Sequence, residues 1–148
     1  MPTFRTASEE ETVALGERLG RELPRRAAVL LIGNLGAGKT TLAKGIVKGL
    51  GAAEPDEVAS PTFTLIHEYP LADSETAVPK VYHIDLYRLD KTNEAARLGM
   101  DELFERDAVI LIEWAEKFPE LMPAERIEIR IAAGEGDQRE ITVTTITT

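Results

Sequence analysis

The octapeptide Gly33-Asn34-Leu35-Gly36-Ala37-Gly38-Lys39-Thr40 constrains this chain more than any other stretch. It satisfies the spacing G-x-x-x-x-G-K-[ST] of a phosphate-binding loop, the P-loop or Walker A motif. An apolar run, Ala27 to Ile32, precedes it, and a helical pattern from Lys39 to about Leu50 follows. Strand, loop and helix in that order separate a phosphate cradle from a glycine-rich surface turn. Glycines at 33, 36 and 38 let the backbone curl so that successive N–H groups face one anion. The helix start adds unpaired amides and the positive end of its dipole. Lys39 is placed to reach the β- and γ-phosphates of a nucleoside triphosphate, and the Thr40 hydroxyl to sit on Mg²⁺.

The rest of the chain reads as an α/β domain around that unit. Its 148 residues suit a single P-loop domain spanning 1–148. A capping-box pattern, Ser8 with Glu11, opens a helix that places Leu15, Leu19 and Leu23 at four-residue spacing. Gly16 and Gly20 flank that stripe and permit close approach to a neighbour. Ser60-Pro61-Thr62 turns into a strand from Phe63 to Tyr69, and Pro70 to Pro79 reads as a loop. Lys80 to Tyr87 is a further strand, and Asn93 to Glu105 a helix with Gly99 as a possible break. Ala108 to Glu113 is unbroken and apolar, as expected of a strand covered on both faces. Arg126 to Ile131 alternates strictly, and Gly134 to Asp137 turns it back into Glu140 to Thr144. The expected sheet is mixed, with a parallel centre, antiparallel edge strands, a half-exposed hairpin at one edge and helices on both faces.

A P-loop needs an acidic partner for Mg²⁺, commonly at the end of a neighbouring apolar strand. Asp85 and Glu113 both end such strands, on the edge where open α/β sheets bind ligands. Spacing alone leaves open which of them serves the metal and which orients water. Thr62 offers a hydroxyl in a segment that could reach a γ-phosphate. Trp114, directly after Glu113, reads as packing or as a docking surface at the site's edge. His67 and His83 read as structural, since neither has carboxylate neighbours in metal-ligand spacing. Arg88, Arg97 and Arg106 read as surface ion-pairing residues.

Composition removes several classes of function. No cysteine is present, which excludes disulfides, thiolate metal sites and a cysteine nucleophile. The longest apolar runs fall far short of the roughly twenty residues that span a bilayer, and no signal peptide is visible. A soluble, cytoplasmic protein without membrane contact is expected. The net charge of −9 repels a nucleic-acid backbone at long range. A GTPase would carry Asp-x-x-Gly and Asn-Lys-x-Asp, and neither occurs, which points to ATP. A small-molecule kinase would want an arginine-rich lid, whereas the 70–79 loop carries Asp73 and Glu75 and no arginine. A module that retains nucleotide without turnover needs the same cradle and differs only in hydrolysis.

The segments 33–41, Ser60-Pro61-Thr62-Phe63-Thr64-Leu65, His83-Ile84-Asp85-Leu86-Tyr87-Arg88-Leu89 and Ile112-Glu113-Trp114 occur in the order and spacing of the TsaE family, earlier known as the YjeE-type P-loop ATPases. The resemblance covers nearly the whole chain. It implies a magnesium-dependent bacterial ATPase acting with TsaD and TsaB in threonylcarbamoyladenosine modification of tRNAs that read ANN codons. It places nucleotide binding on Leu35, Gly36, Ala37, Gly38, Lys39, Thr40 and Thr41, and metal binding on Thr40 and Glu113. Asp85 corresponds to the family's essential aspartate and Trp114 to the tryptophan beside the metal glutamate. The resemblance also suggests nucleotide contacts from Glu9 and Arg139. Many relatives have Asp where this chain has Asn34, which removes a negative charge beside the phosphates. With this acidic surface, tRNA is expected to be met only through the protein partners.

Overall fold

The computed structural model describes residues 2–58, 65–70 and 80–147. Seven strands form one sheet: β1 (Thr3–Thr6), β2 (Ala27–Ile32), β3 (Ile66–Pro70), β4 (Lys80–Asp85), β5 (Ala108–Glu113), β6 (Arg126–Ala133) and β7 (Arg139–Ile146). Their spatial order is β1-β7-β6-β2-β5-β4-β3. The pairs β4–β5, β5–β2 and β2–β6 are parallel, whereas β3–β4, β6–β7 and β7–β1 are antiparallel. The expected mixed sheet with a parallel centre is therefore present.

Alternation along the central strands sorts side chains to two cores. Val29, Leu31, Val81, Val109 and Leu111 pack against α1 (Glu9–Glu22) and α2 (Lys39–Gly49). Leu30, Tyr82, Ile84, Ile110 and Ile112 face the other way, with α3 (Thr92–Ala96) and α4 (Met100–Phe104). Every residue of β5 is buried, as its unbroken apolar run predicts.

The α1 N-terminus is capped as its sequence foretells. The Glu11 amide donates to Ser8 Oγ at 3.1 Å, and the Glu11 carboxylate accepts from the Ala7 amide at 2.9 Å. Close helix approach does depend on glycine. A Cβ on Gly45 would lie 2.0 Å from the Val13 carbonyl oxygen, and one on Gly16 2.5 Å from that of Leu42. The two helices thus meet backbone to backbone along their middle turns.

Two expectations change. The single helix over 93–105 is two short helices, because Gly99 adopts a left-handed φ of 76° and caps the second. The β6–β7 hairpin is not the sheet edge, because β7 has a second free row of backbone groups and β1 pairs with it. β3 begins at Ile66. The Ser60-Pro61-Thr62 turn, Phe63 and Thr64 of the strand expected over 63–69, and all but the first residue of the expected 70–79 loop lie outside the described residues. Pro70 ends β3 instead of opening that loop. Among the described residues no helix is long and apolar enough to cross a membrane.

Candidate active site

The parallel strands β2, β4 and β5 end side by side, so the P-loop, Asp85 and Glu113 converge on one edge of the sheet. A cleft of about 470 Å³ opens there. Of the residues singled out from sequence, Glu9, Leu35, Gly36, Gly38, Lys39, Thr40, Thr41, Asp85, Glu113, Trp114 and Arg139 all line it. Ala37 does not. It is buried under the loop, its amide donating to the Asn34 carbonyl at 3.0 Å. Thr62 lies outside the described residues.

Gly38 caps α2 with a φ of 106°, a conformation a side chain rarely adopts. It has no side-chain cap, so the first amides of α2 remain available to an anion. Leu35, at the tip of the loop, is 74% exposed.

Lys39 is buried, unusual for a lysine. Its ammonium donates to the Gly33 carbonyl at 2.8 Å and lies 3.3 Å from the centroid of the Trp114 ring. Burial lowers its pKa below the ordinary 10.5, and the carboxylates of Glu116, Glu113 and Asp85 oppose that shift without cancelling it. Trp114 has a φ of 65° just past the end of β5 and also meets Tyr87 edge to face at 5.0 Å. This left-handed turn carries the indole back across the cleft.

The two acidic residues occupy distinct settings. Both Glu113 carboxylate oxygens accept from Thr40 Oγ1 at 3.2 Å, so the strand-end glutamate meets the hydroxyl that opens α2. Asp85, opposite Glu113 in register, accepts from the Tyr87 amide at 2.9 Å. Both are nearly inaccessible to solvent.

His83 reads from sequence as structural, for want of a set of carboxylates in metal-ligand spacing. The structure adds one carboxylate contact, its Nε2 lying 2.5 Å from Glu113 Oε2. Linear spacing hid this contact because it crosses between β4 and β5; only their parallel register brings the two side chains to one face. Arg106 also differs from expectation, donating to the Tyr82 hydroxyl at 3.0 Å. Thr12, Tyr87 and Asp137 line the cleft without having been singled out. For Tyr87 the signal was its place two residues after a strand-end aspartate.

Residues 6–141 match the family model described as "Threonylcarbamoyl adenosine biosynthesis protein TsaE". The chain is 41% identical to the tRNA threonylcarbamoyladenosine biosynthesis protein TsaE of Bacillus subtilis, over 97% of this chain and 85% of that protein. It is 39% identical to the protein of the same name from a Nostoc species, over 93% and 82%. The crystal structure of YdiB from Bacillus subtilis superposes with a TM-score of 0.77 at 36% identity, covering 99% of this chain and 86% of that one.

Proposed function

The chain belongs to the TsaE family of tRNA threonylcarbamoyladenosine biosynthesis proteins, and on that premise we propose that it is a magnesium-dependent ATPase working with TsaD and TsaB on tRNAs that read ANN codons. The observation that carries the enzymatic part is the contact of Thr40 with Glu113 beside a buried Lys39. A hydroxyl, a carboxylate and an ammonium, set at the start of a helix after a glycine loop, are the parts that phosphoryl transfer requires.

The donor set fits magnesium. Mg²⁺ prefers oxygen ligands, keeps several waters and is commonly held by one or two carboxylates together with substrate phosphates. Thr40 and Glu113 supply such oxygens, and among the described residues no cluster of three or more His, Cys, Asp or Glu side chains forms a closed cage. When bound, the ion would neutralise charge on the phosphates.

The remaining work falls to the chain's own groups. Amides of the 35–41 segment, apart from that of Ala37 on the Asn34 carbonyl, hold phosphate oxygens, and Lys39 leaves the Gly33 carbonyl and the indole to meet them. Asp85 orients the attacking water toward the γ-phosphorus and accepts its proton, and the Thr62 hydroxyl is a candidate second group for that water. Water adds to phosphorus as its proton passes to the Asp85 carboxylate, the bond to the bridging oxygen breaks, and ADP and phosphate leave. Glu9 and Arg139 flank the cleft from α1 and β7 and contact the nucleotide. The acidic surface favours protein partners over direct contact with tRNA.

Phosphate release from ATP and from GTP, each with and without TsaB–TsaD, tests this. The expected result is magnesium-dependent release from ATP that rises when the partners are added. Equal turnover of both nucleotides, or a rate indifferent to TsaB–TsaD, contradicts the proposal.

A further inference from the structure

We infer that His83 is a positioning residue for the metal carboxylate: its Nε2–H holds Glu113 Oε2 so that the glutamate is aimed at the Thr40 end of the cleft. The inference rests on the proposal that Glu113 serves Mg²⁺, and gives the buried His83 a part in the site beyond packing.

Glu113 lines the cleft yet is only 3% exposed, and among the described residues its carboxylate accepts from Thr40 and His83. Register pairs Asp85 with Glu113 and His83 with Leu111. The Glu113 carboxylate therefore leans back along the strands to reach His83, diagonally across the β4–β5 pair. Thr40 is an uncertain anchor, because its oxygen is the one that would turn to the cation. His83 is 0% exposed and does not line the cleft, so a ligand entering the cleft meets other groups first.

The ring's other nitrogen indicates how the contact works. Among the described residues, buried His83 Nδ1 has no hydrogen-bond partner. A buried N–H without an acceptor is costlier and rarer than an unpaired acceptor. A carboxylate accepts and does not donate. Both facts place a proton on Nε2, the nitrogen that donates to Glu113. For filling space alone, an aliphatic residue would serve without an orphaned polar atom in the core. The compensation for that nitrogen lies at Nε2. Outer donors of this kind fix the orientation of metal-binding side chains.

The test is a Mg²⁺ titration of nucleotide binding, with a nonhydrolysable ATP analogue and calorimetry, on the full chain. Three substitutions at 83 separate the donor from mere bulk. In H83Q the amide nitrogen stands as many bonds from Cα as Nε2 and keeps the donor in reach. In H83N the amide is too short, and in H83L the donor is gone. The half-saturating Mg²⁺ concentration should rise about 10-fold in H83N and H83L, with nucleotide affinity in EDTA unchanged, and H83Q should return close to wild type. If H83L does not fold, the H83N and H83Q pair decides alone. H83N responding to Mg²⁺ like wild type, or H83Q failing like H83N, overturns the inference while leaving the metal reading intact. A wild type indifferent to Mg²⁺, or an E113Q variant that keeps the wild-type response, overturns the metal reading and this inference with it.

Discussion

The Lys39 ammonium rests against the face of the Trp114 indole, 3.3 Å from the ring centroid, while it donates to the Gly33 carbonyl. The lysine is thus held by a ring and a backbone oxygen that a phosphate can replace. Trp114 is the chain's one tryptophan, so its emission reports the position of this charge directly. Saturating ATP should change that emission, and K39M should abolish the change. Constant emission alongside calorimetric binding would show that the lysine does not leave the ring.

Lys39 also sets a stability trend. Its folded pKa lies below 10.5 because burial outweighs the nearby carboxylates. The unfolded chain therefore binds more protons between the folded pKa and 10.5, and stability rises with pH through that window. Below it the penalty for the buried charge is present in full. Urea unfolding without nucleotide should give K39M a shallower pH slope than wild type on the alkaline side. A parallel slope would contradict the assignment.

Asp85 and Glu113 stand opposite one another in register but contact different groups, which predicts different losses. D85N should keep nucleotide affinity within about threefold while hydrolysis falls at least about 100-fold, the scale of a lost proton-handling group. Single-turnover phosphate release measures the second quantity and calorimetry the first. Loss of binding in D85N would assign the aspartate to holding nucleotide instead.

On β6, Glu128 is largely buried between Arg126, at 2.7 Å, and Arg130, at 3.0 Å. Burial pushes its pKa up, but hydrogen bonds and charge from the two guanidinium groups prevail and hold it below 4.5. Its contribution to stability is therefore complete above 4.5 and is lost as pH falls through the depressed value. E128Q should destabilise the protein by about 1.5 kcal/mol at pH 7, with a smaller deficit in acid. Denaturant midpoints across pH 3–7 would reveal a constant deficit if the ion pairs do not form.

Gly45 tests the coupling of α1 to α2. G45A places a methyl 2.0 Å from the Val13 carbonyl oxygen, a backbone atom that cannot swing aside. It should cost at least about 2 kcal/mol and weaken nucleotide binding, because Glu9 and Lys39 sit at the starts of the two helices. Wild-type affinity with lowered stability would separate packing from the site.

The cradle, the strand that feeds it and the acidic strand ends were legible in the order of residues. These depend on local spacing, which glycine conformations, capping and side-chain periodicity dictate over a few residues. Tertiary structure alone decided how distant residues are paired. The Thr40 hydroxyl meets a glutamate 73 positions away, and His83 meets the same glutamate across 30. Strand register sets both contacts, and register is settled by packing of the whole sheet between its helices. The same holds for β1, whose place at the edge depends on backbone groups that β7 leaves unpaired, and for Trp114, which a single left-handed residue turns onto Lys39.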